Sequence, residues 1–379
     1  MQDILTAGID VPSSTSASSS FLGKHRQDTT DRGGGPDVGE NVGGVGTSSQ
    51  VKPTQRREQI KVSLKEMFDN ITFVDGFIFL GLETTPELQK VLFIVLALLY
   101  ILSVIGNFTV LVIIRTDRRL HTPMYFFLLN LALIEMLYTT AVTPNTLKNL
   151  LEEEKMISFA GCFIQMFLFV TLGGTECVLL GIMAYDRYVA ICHPLLYTTI
   201  MNQPRCVCLA LVCWVIGFTD SLLHTILTSV LPYCNRRIIK HYFCEIPSLL
   251  NISCKDTYVN EILLFLVGGC IIVGSLTFIL ISYIFVIAAI MRISTLNRKQ
   301  KAFSTCTSHL IVVTIFFGTV ICIYLQPSSH SFSSQGEIVS LAYVAVTPLI
   351  NPIIYSFRNK DFQQALEKSF SFCSCVNEK

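Results

Sequence analysis

The chain has 379 residues, of which 51% are hydrophobic and only 15% are charged. Soluble domains usually carry about 25% charged residues, so this composition indicates a membrane protein rather than two soluble domains. Its 28 Lys and Arg nearly balance its 27 Asp and Glu, and we therefore expect no nucleic acid partner.

The first 66 residues differ in composition from everything that follows. Residues 13–20 are nearly all Ser, Thr and Ala, and residues 33–46 are rich in Gly. Such a segment cannot bury enough apolar surface to offset its ordering entropy, so residues 1–66 are expected to be a disordered N-terminal extension. It has no basic n-region followed by an apolar h-region, so we expect the first membrane helix to act as the targeting signal.

Seven apolar segments follow, each long enough to cross a bilayer, which needs about 20 residues. They predict an all-α membrane protein with a seven-transmembrane helix bundle over residues 91–358, preceded by an external tail over residues 67–90. The segments run over Val91–Ile114, Met124–Thr146, Ala160–Tyr185, Val207–Leu231, Ile262–Met291, Ala302–Leu325 and Ile338–Phe357.

The distribution of Lys and Arg predicts the orientation of the bundle. These residues concentrate in the breaks after the first, third and fifth segments and in the C-terminal tail, which favours an extracellular N-terminus and a cytoplasmic C-terminus. Residues 359–379 are expected to form a cytoplasmic tail with an amphipathic helix on the inner membrane surface. Its apolar face comprises Phe362, Ala365, Leu366 and Phe370.

The third segment ends in an acid–base pair, Asp186-Arg187, where a membrane protein normally avoids charge. A lone Asp-Arg dipeptide is usually a solvated surface pair. Burying either ion alone is costly, however, so adjacent opposite charges at a membrane edge suggest a pair that breaks and re-forms.

Motifs in almost every segment carry a family resemblance. Met183–Pro194 reads MAYDRYVAICHP, and Leu120–Leu128 reads LHTPMYFFL. Lys301–Leu310 reads KAFSTCTSHL, and Pro348–Asn359 reads PLINPIIYSFRN. In their order and spacing these motifs resemble the olfactory receptors, in the tetrapod-type branch of the rhodopsin-like G-protein-coupled receptors, from about Met67 to the C-terminus.

The resemblance implies a receptor in the plasma membrane that is not an enzyme. It would bind a small hydrophobic or volatile odorant in the helix bundle, surrounded by membrane lipid. It would then activate a stimulatory olfactory heterotrimeric G protein and raise cyclic AMP. The second reading is the same fold used as a chemosensor outside the nose.

Three features depart from the family pattern. The extension over residues 1–66 is foreign to the family, whose external tail would begin near Met67. Glu135 stands where the family more often has Asp. Phe316–Gly318 reads Phe-Phe-Gly where Phe-Tyr-Gly is usual, so a hydroxyl is missing from the sixth helix. The last of these departures concerns the detail of ligand contact rather than the family.

Four cysteines are expected outside the membrane, where an oxidising environment favours disulfides. Cys162 opens the third helix, and Cys234, Cys244 and Cys254 follow the fourth segment at intervals of ten residues. Four cysteines allow three pairings, and the spacing does not choose among them. The resemblance implies the pairs Cys162–Cys244 and Cys234–Cys254.

The external tail contains a predicted glycosylation site, Asn70, in the acceptor sequence Asn-Ile-Thr. Asn251 begins a second match, but it lies close to Cys254, where access is expected to be poor. Asn107 begins a third match within the first helix and cannot be modified.

The predicted ligand pocket is largely apolar, which suits a small hydrophobic ligand. Gly173 and Gly174 either leave room for that ligand or let two helices pack closely, and both readings stay open. The third helix supplies Met166, Phe169, Val170, Gly173 and Gly174. Positions matched through the resemblance add Val267, Ile271, Phe317, Val320, Ile321, Tyr324 and Leu341.

The resemblance also implies which residues take part in coupling and activation. Arg187 is expected to leave Asp186 when the receptor activates, and to help form the G-protein cleft. The predicted set is Asp186, Arg187, Tyr188, Tyr283, Asn351, Pro352 and Tyr355.

Two acids lie within the predicted membrane segments. By helical rise, Glu135 lies roughly 18 Å and Glu176 roughly 15 Å from the inner face, so they share a depth. Two buried carboxylates cannot both stay ionised without a counter-charge. Either one is protonated, or a sodium ion bridges them with help from Asn107 and Asn351. We expect no other cofactor.

Competing classes lack the residues they need. An amine receptor needs a carboxylate where Phe169 stands, and a retinal pigment needs a Lys in the seventh segment, which has none. An enzyme needs a nucleophile–base pair or a metal cluster. The scattered histidines form neither and are expected to be surface or capping residues: His193, His224, His241, His309 and His330.

Overall fold

The computed structural model describes residues 76–81, 85–152, 155–234, 236–324, 334–354 and 360–377. The predicted extension over residues 1–66, Asn70 and Tyr355 lie outside the described residues, as does the side chain of Tyr324.

Eight long helices make up most of the described chain. The first six are long and apolar enough to cross a membrane. The seventh has 19 residues and packs against the first, second and sixth, so the predicted seven-helix bundle is confirmed. The helices are α1 Pro86–Thr116, α2 Pro123–Leu151, α3 Phe159–Cys192, α4 Gln203–Ser229, α5 Tyr258–Met291, α6 Leu296–Tyr324, α7 Ser334–Pro352 and α8 Lys360–Asn377.

Shorter helical pieces interrupt or join these helices. A 3-10 turn lies between α1 and α2, one helical turn joins α3 to α4, a two-turn helix lies in the loop after α4, and a π-helical turn falls within α5. Their bounds are Arg118–Leu120, Tyr197–Ile200, Ile246–Ile252 and Leu264–Gly268.

Side-chain caps fix where three of the helices begin. Thr85, Ser158 and Asn202 each accept a hydrogen bond from the backbone N–H three residues further on, at 3.4, 3.1 and 3.0 Å. Pro86 follows the first of these caps, where its missing N–H costs no helical hydrogen bond. Local sequence therefore sets these helix starts.

Apolar side chains cover the outside of the bundle as well as its interior. In the most apolar 18 residues of α1 only 17% are buried, and in those of α5 only 22%. Leu98 and Ile284 are 55% and 65% exposed. Helices that are apolar all round indicate lipid rather than water as the surroundings, so the chain is a multi-pass membrane protein.

Helices α3 and α4 approach closely at Gly217. A side chain there would overlap the carbonyl oxygen of Thr171 and the hydroxyl of Thr175. Across the interface, a Cβ on Gly174 would lie 3.4 Å from the Cα of Gly217. Small residues at such a crossing let two helix backbones pack together within a membrane.

Replacing Gly217 with Val is expected to destabilise the receptor. Overpacking typically costs about 1–3 kcal/mol, and here backbone atoms would have to move. The measurement is the thermal unfolding midpoint of purified receptor, with Gly274→Val as the matched control. A Cβ at Gly274 has nothing within 4 Å. Equal losses in the two variants would contradict the packing argument.

A small β-sheet, which was not predicted, lies at the end of the bundle where α3 begins. Strand β1, Gly76–Phe79, is its central strand. It pairs antiparallel with β2, Met156–Ser158, and parallel with β3, Ile238–Ile239. Phe77 of β1 is fully buried and packs edge-on against Tyr233 with ring centroids 5.4 Å apart.

Helix α8 buries one face against α1 and the 3-10 turn that follows it. Phe362 and Ala365 are 0% and 1% exposed, and Leu366 is partly buried. The side chain of Phe370 lies outside the described residues. The described part of this face matches the amphipathic pattern in the sequence.

Candidate functional site

Two disulfides tie the loop after α4 to itself and to α3. Cys162 pairs with Cys244, with Cα atoms 5.4 Å apart, and Cys234 pairs with Cys254, at 6.0 Å. Gln165 strengthens the first link, since its side chain accepts a hydrogen bond of 3.0 Å from the Cys244 N–H. We call this end of the bundle the disulfide end, and the opposite end, where α3 finishes, the Asp186 end.

Phe169 lies between two aromatic rings below the disulfide end. Its ring centroid is 5.0 Å from that of Tyr138 on α2 and 4.7 Å from that of Phe243 in the loop after α4. Phe243 is fully buried and covers this part of the bundle on the side of the disulfide end. Sequence reasoning missed Phe243, although its place next to Cys244 signals that the disulfide holds it over α3.

The structure distributes the other predicted ligand residues unevenly. Ile321 is 40% exposed and stands apart from the buried ones. Val267 is half-buried on the π-helical turn. Met166 and Val170 join the apolar cluster beneath the sheet. The main apolar cluster of the bundle contains Phe169, Ile271, Phe317, Val320 and Leu341.

The two adjacent glycines of α3 face different neighbours. Gly174 faces α4, where a Cβ would lie 3.4 Å from Gly217, which favours the reading of close helix packing. A Cβ on Gly173 would meet the ring of Tyr138 at 4.0 Å, so this glycine lies beside the rings that flank Phe169. Whether a ligand uses that space stays a prediction.

The acid–base pair is intact at the Asp186 end. An Arg187 Nη2 lies 3.0 Å from Asp186 Oδ2, and these side chains are 13% and 1% exposed. Tyr197 donates a second hydrogen bond, of 2.8 Å, from its hydroxyl to Asp186 Oδ1. Burial, and then the Asp186 carboxylate, raises the pKa of Tyr197, so the phenol keeps the proton that it donates. Sequence reasoning missed this tyrosine.

A buried histidine links three helices near this end. The Tyr283 hydroxyl on α5 is 2.9 Å from His309 Nδ1 on α6, and His309 Nε2 is 3.2 Å from the Leu180 carbonyl on α3. Because a carbonyl only accepts, Nε2 carries the proton and Nδ1 accepts from Tyr283. The Tyr283 hydroxyl thus has a specific hydrogen-bond partner on α6.

The expectation that the histidines lie on the surface or cap helices is wrong for three of them. His309 is 1% exposed, His224 is 2% and His241 is 8%. Each lies packed among helices or loops rather than facing water. His193 is exposed, as predicted, and its Nε2 lies 3.2 Å from the Tyr188 hydroxyl.

The two membrane acids meet where α2, α3 and α7 pack together. Glu135, Glu176 and Asn351 are at most 2% exposed. The Asn351 amide donates to Glu135, and the two carboxyl groups are hydrogen-bonded to each other. Within the described part of the chain, Glu176 Oε1 and Asn351 Oδ1 have no hydrogen-bond partner. Both are oxygen acceptors, which is the ligand type that hard cations prefer.

Asn107 joins α1 to α7 through its side-chain N–H groups, and its predicted help at a sodium site stays a prediction. Its Nδ2 donates to the carbonyl of Pro348 at 2.9 Å and to that of Ser103 at 3.0 Å. Pro352 has no N–H, so the Pro348 carbonyl one turn earlier lacks its usual helical partner. Asn107 supplies that hydrogen bond and joins α1 to α7.

These features together define a class of protein. The chain folds into a bundle of seven helices, and a disulfide clamps a loop to the third of them. An acid–arginine pair lies at the other end of that helix. This is the architecture of a rhodopsin-like G-protein-coupled receptor. The protein is a receptor and not an enzyme.

Comparison with known proteins gives the family. The family model described as olfactory receptor matches residues 96–372. The chain is 47% identical over 295 residues to human olfactory receptor 2G3, covering 78% of this chain and 96% of that receptor. It is 44% identical over 299 residues to mouse olfactory receptor 5M5, covering 79% and 94%. This chain therefore belongs to the olfactory receptor family.

Proposed function

We propose that this receptor sits in the plasma membrane with its disulfide end outside, binds a small, largely apolar odorant among its helices, and activates the stimulatory olfactory G protein to raise cyclic AMP. The observation that carries the proposal is the buried Asp186–Arg187 pair, held by Tyr197 at the end that would face the G protein. When the pair separates, the Arg187 guanidinium becomes available for contacts in the active state.

The ligand would bind beside Phe169. Phe243 and Tyr138 flank that ring, and Phe317, Val320 and Leu341 belong to the same apolar cluster. The side chains named here are apolar or aromatic, so the shape and apolar area of the ligand would decide much of the fit. A small hydrophobic molecule meets those conditions.

Activation would exchange hydrogen-bond partners at the Asp186 end. Ligand binding favours a state that already exists in small population. In that state Arg187 leaves Asp186, and Tyr283 leaves His309 so that both can line the G-protein cleft. Tyr355 is expected to join them, although it lies outside the described residues.

The direct experiment expresses the full chain at the cell surface with a cyclic AMP reporter and a panel of small odorants. A subset of apolar odorants should raise cyclic AMP in a dose-dependent way, and only when the olfactory G-protein α subunit is present. Surface receptor that responds to none of a broad panel would contradict the proposal.

We also propose a sodium site at Glu135, Glu176 and Asn351. It is supported by the Glu176 and Asn351 side-chain oxygens that have no partner among the described residues, and an ion there would neutralise the second carboxylate. The alternative is a proton shared between the two acids, which needs no ion.

Replacing Glu176 with Gln should abolish sodium sensitivity. If sodium stabilises the inactive state, exchanging sodium for a large organic cation raises basal cyclic AMP in the parent receptor but not in Glu176→Gln. The matched control is Glu152→Gln, because Glu152 is an exposed acid that pairs with Lys148 at 3.5 Å. Identical sodium dependence in the parent and Glu176→Gln would leave the shared proton as the explanation.

A further inference from the structure

A second buried acid–base pair lies on α4, apart from the groups described above. Asp220 Oδ1 and His224 Nε2 are 3.4 Å apart on successive turns. The residues are 8% and 2% exposed. Neither of those two atoms has a hydrogen-bond partner in the described protein, and no Lys or Arg of the described residues forms an ion pair with Asp220.

The pair lies at the depth of the predicted ligand pocket. One residue beyond Asp220, the Ser221 hydroxyl donates to the Phe167 carbonyl on α3 at 2.6 Å. Asp220 Oδ2 is 3.9 Å from where a Cβ on Gly174 would stand. Val170 precedes Gly174 by four residues and therefore shares its helix face. The carboxylate thus lies at the α3–α4 contact, beside Gly174 and on the side of α3 that carries Val170, two of the predicted ligand residues.

Asp220 is the group at this level with the greatest unmet demand. A carboxylate only accepts, whereas a neutral imidazole has one acceptor and one donor nitrogen. No Lys or Arg of the described residues pairs with Asp220, and a buried polar atom without a partner is costly. A cationic donor beside the carboxylate would therefore be stabilised there.

A metal ion does not meet this demand. Among the described residues no three His, Cys, Asp or Glu side chains come together, so an ion would have only two strong protein ligands here. A primary ammonium group has three N–H donors and one positive charge, and it matches a carboxylate flanked by neutral acceptors.

We propose that Asp220 and His224 bind the ammonium group of a small alkylamine, whose alkyl chain lies toward Val170 and Phe169. This inference rests on the proposed odorant receptor function and names one class of its ligands. Phe169 stands where an amine receptor has its carboxylate, and Asp220 supplies a carboxylate from the neighbouring helix instead.

The test compares 3-methylbutylamine with 3-methylbutan-1-ol, which share a carbon skeleton, on the full chain in the cyclic AMP assay. The amine should activate the parent receptor, and Asp220→Asn should raise its half-maximal concentration by on the order of 10- to 100-fold. The response to any neutral odorant that activates the receptor should stay within about twofold. Asp117→Asn is the matched control, since Asp117 pairs with Arg119 in the loop after α1.

Binding is also measured without coupling, as the amine-induced rise in the unfolding midpoint of purified receptor. His224→Gln, which retains an acceptor, should weaken that rise less than Asp220→Asn does. No amine-induced rise in the parent, or an equal rise in parent and Asp220→Asn, would overturn the proposal. Asp220 and His224 would then be a hydrated pair that binds no amine. Responses to neutral odorants alone would overturn the amine site but support the proposed receptor function.

Discussion

Replacing Arg187 with Ala is expected to abolish agonist-driven cyclic AMP while the receptor still reaches the cell surface. The Arg187 side chain is 13% exposed, and its strong partner is the adjacent Asp186. Tyr197 continues to donate to Asp186 in the variant, so the remaining carboxylate keeps one hydrogen bond. We therefore expect the loss to fall on coupling, because the active state has no cation to place in the G-protein cleft.

The control for this variant is Arg119→Ala. Arg119 pairs with Asp117 in a loop at the same end of the bundle, but its side chain is 54% exposed, and such surface pairs contribute little. Surface level is measured with an antibody in intact cells and cyclic AMP with a reporter. Undiminished signalling by Arg187→Ala at equal surface level would contradict the mechanism.

Replacing Cys162 with Ser is expected to remove most receptor from the cell surface. The disulfide to Cys244 closes a segment with a sequence separation of 82 residues, and loss of a native disulfide typically costs about 2–5 kcal/mol in small secreted domains. Here it would also release Phe243 from its place over Phe169. Cys244→Ser should have the same effect.

Cys208→Ser is the control for the disulfide, because Cys208 is a free, exposed cysteine on α4. Surface receptor is counted by flow cytometry, and the linkage is mapped by mass spectrometry without reduction. Finding both Cys162 and Cys244 as free thiols in surface receptor would show that the clamp does not exist there.

The sequence predicted the helix bundle because crossing a bilayer imposes a length and a composition that can be read directly. The described helices are longer than several of the apolar segments, since they continue into polar turns. Helix α3 runs on to Cys192, beyond the segment end at Tyr185. The three strands escaped prediction because two to four residues carry too little pattern, and their partners lie far apart in the chain.

Depth within the membrane was predictable, but helix rotation was not. Counting helical rise placed Glu135 and Glu176 at one level, and the structure brings their carboxyl groups together. The sequence could not show which way His309 or Asp220 points, because an apolar pattern on all sides of a helix gives no preferred face. Tyr197 was missed for a similar reason, since its partner depends on how the short loop helix folds back.

The central position of β1 in the sheet sets a boundary for engineering this receptor. Strands β2 and β3 do not pair with each other, so without Gly76–Phe79 each would present unpaired N–H and C=O groups as an open edge. The amides of Ile78, Phe79 and Leu80 bind carbonyls in two separate loops. An epitope tag or fusion partner therefore belongs upstream of Gly76. An antibody raised against either loop as a free peptide would encounter, in the folded receptor, a segment whose backbone is already paired in the sheet.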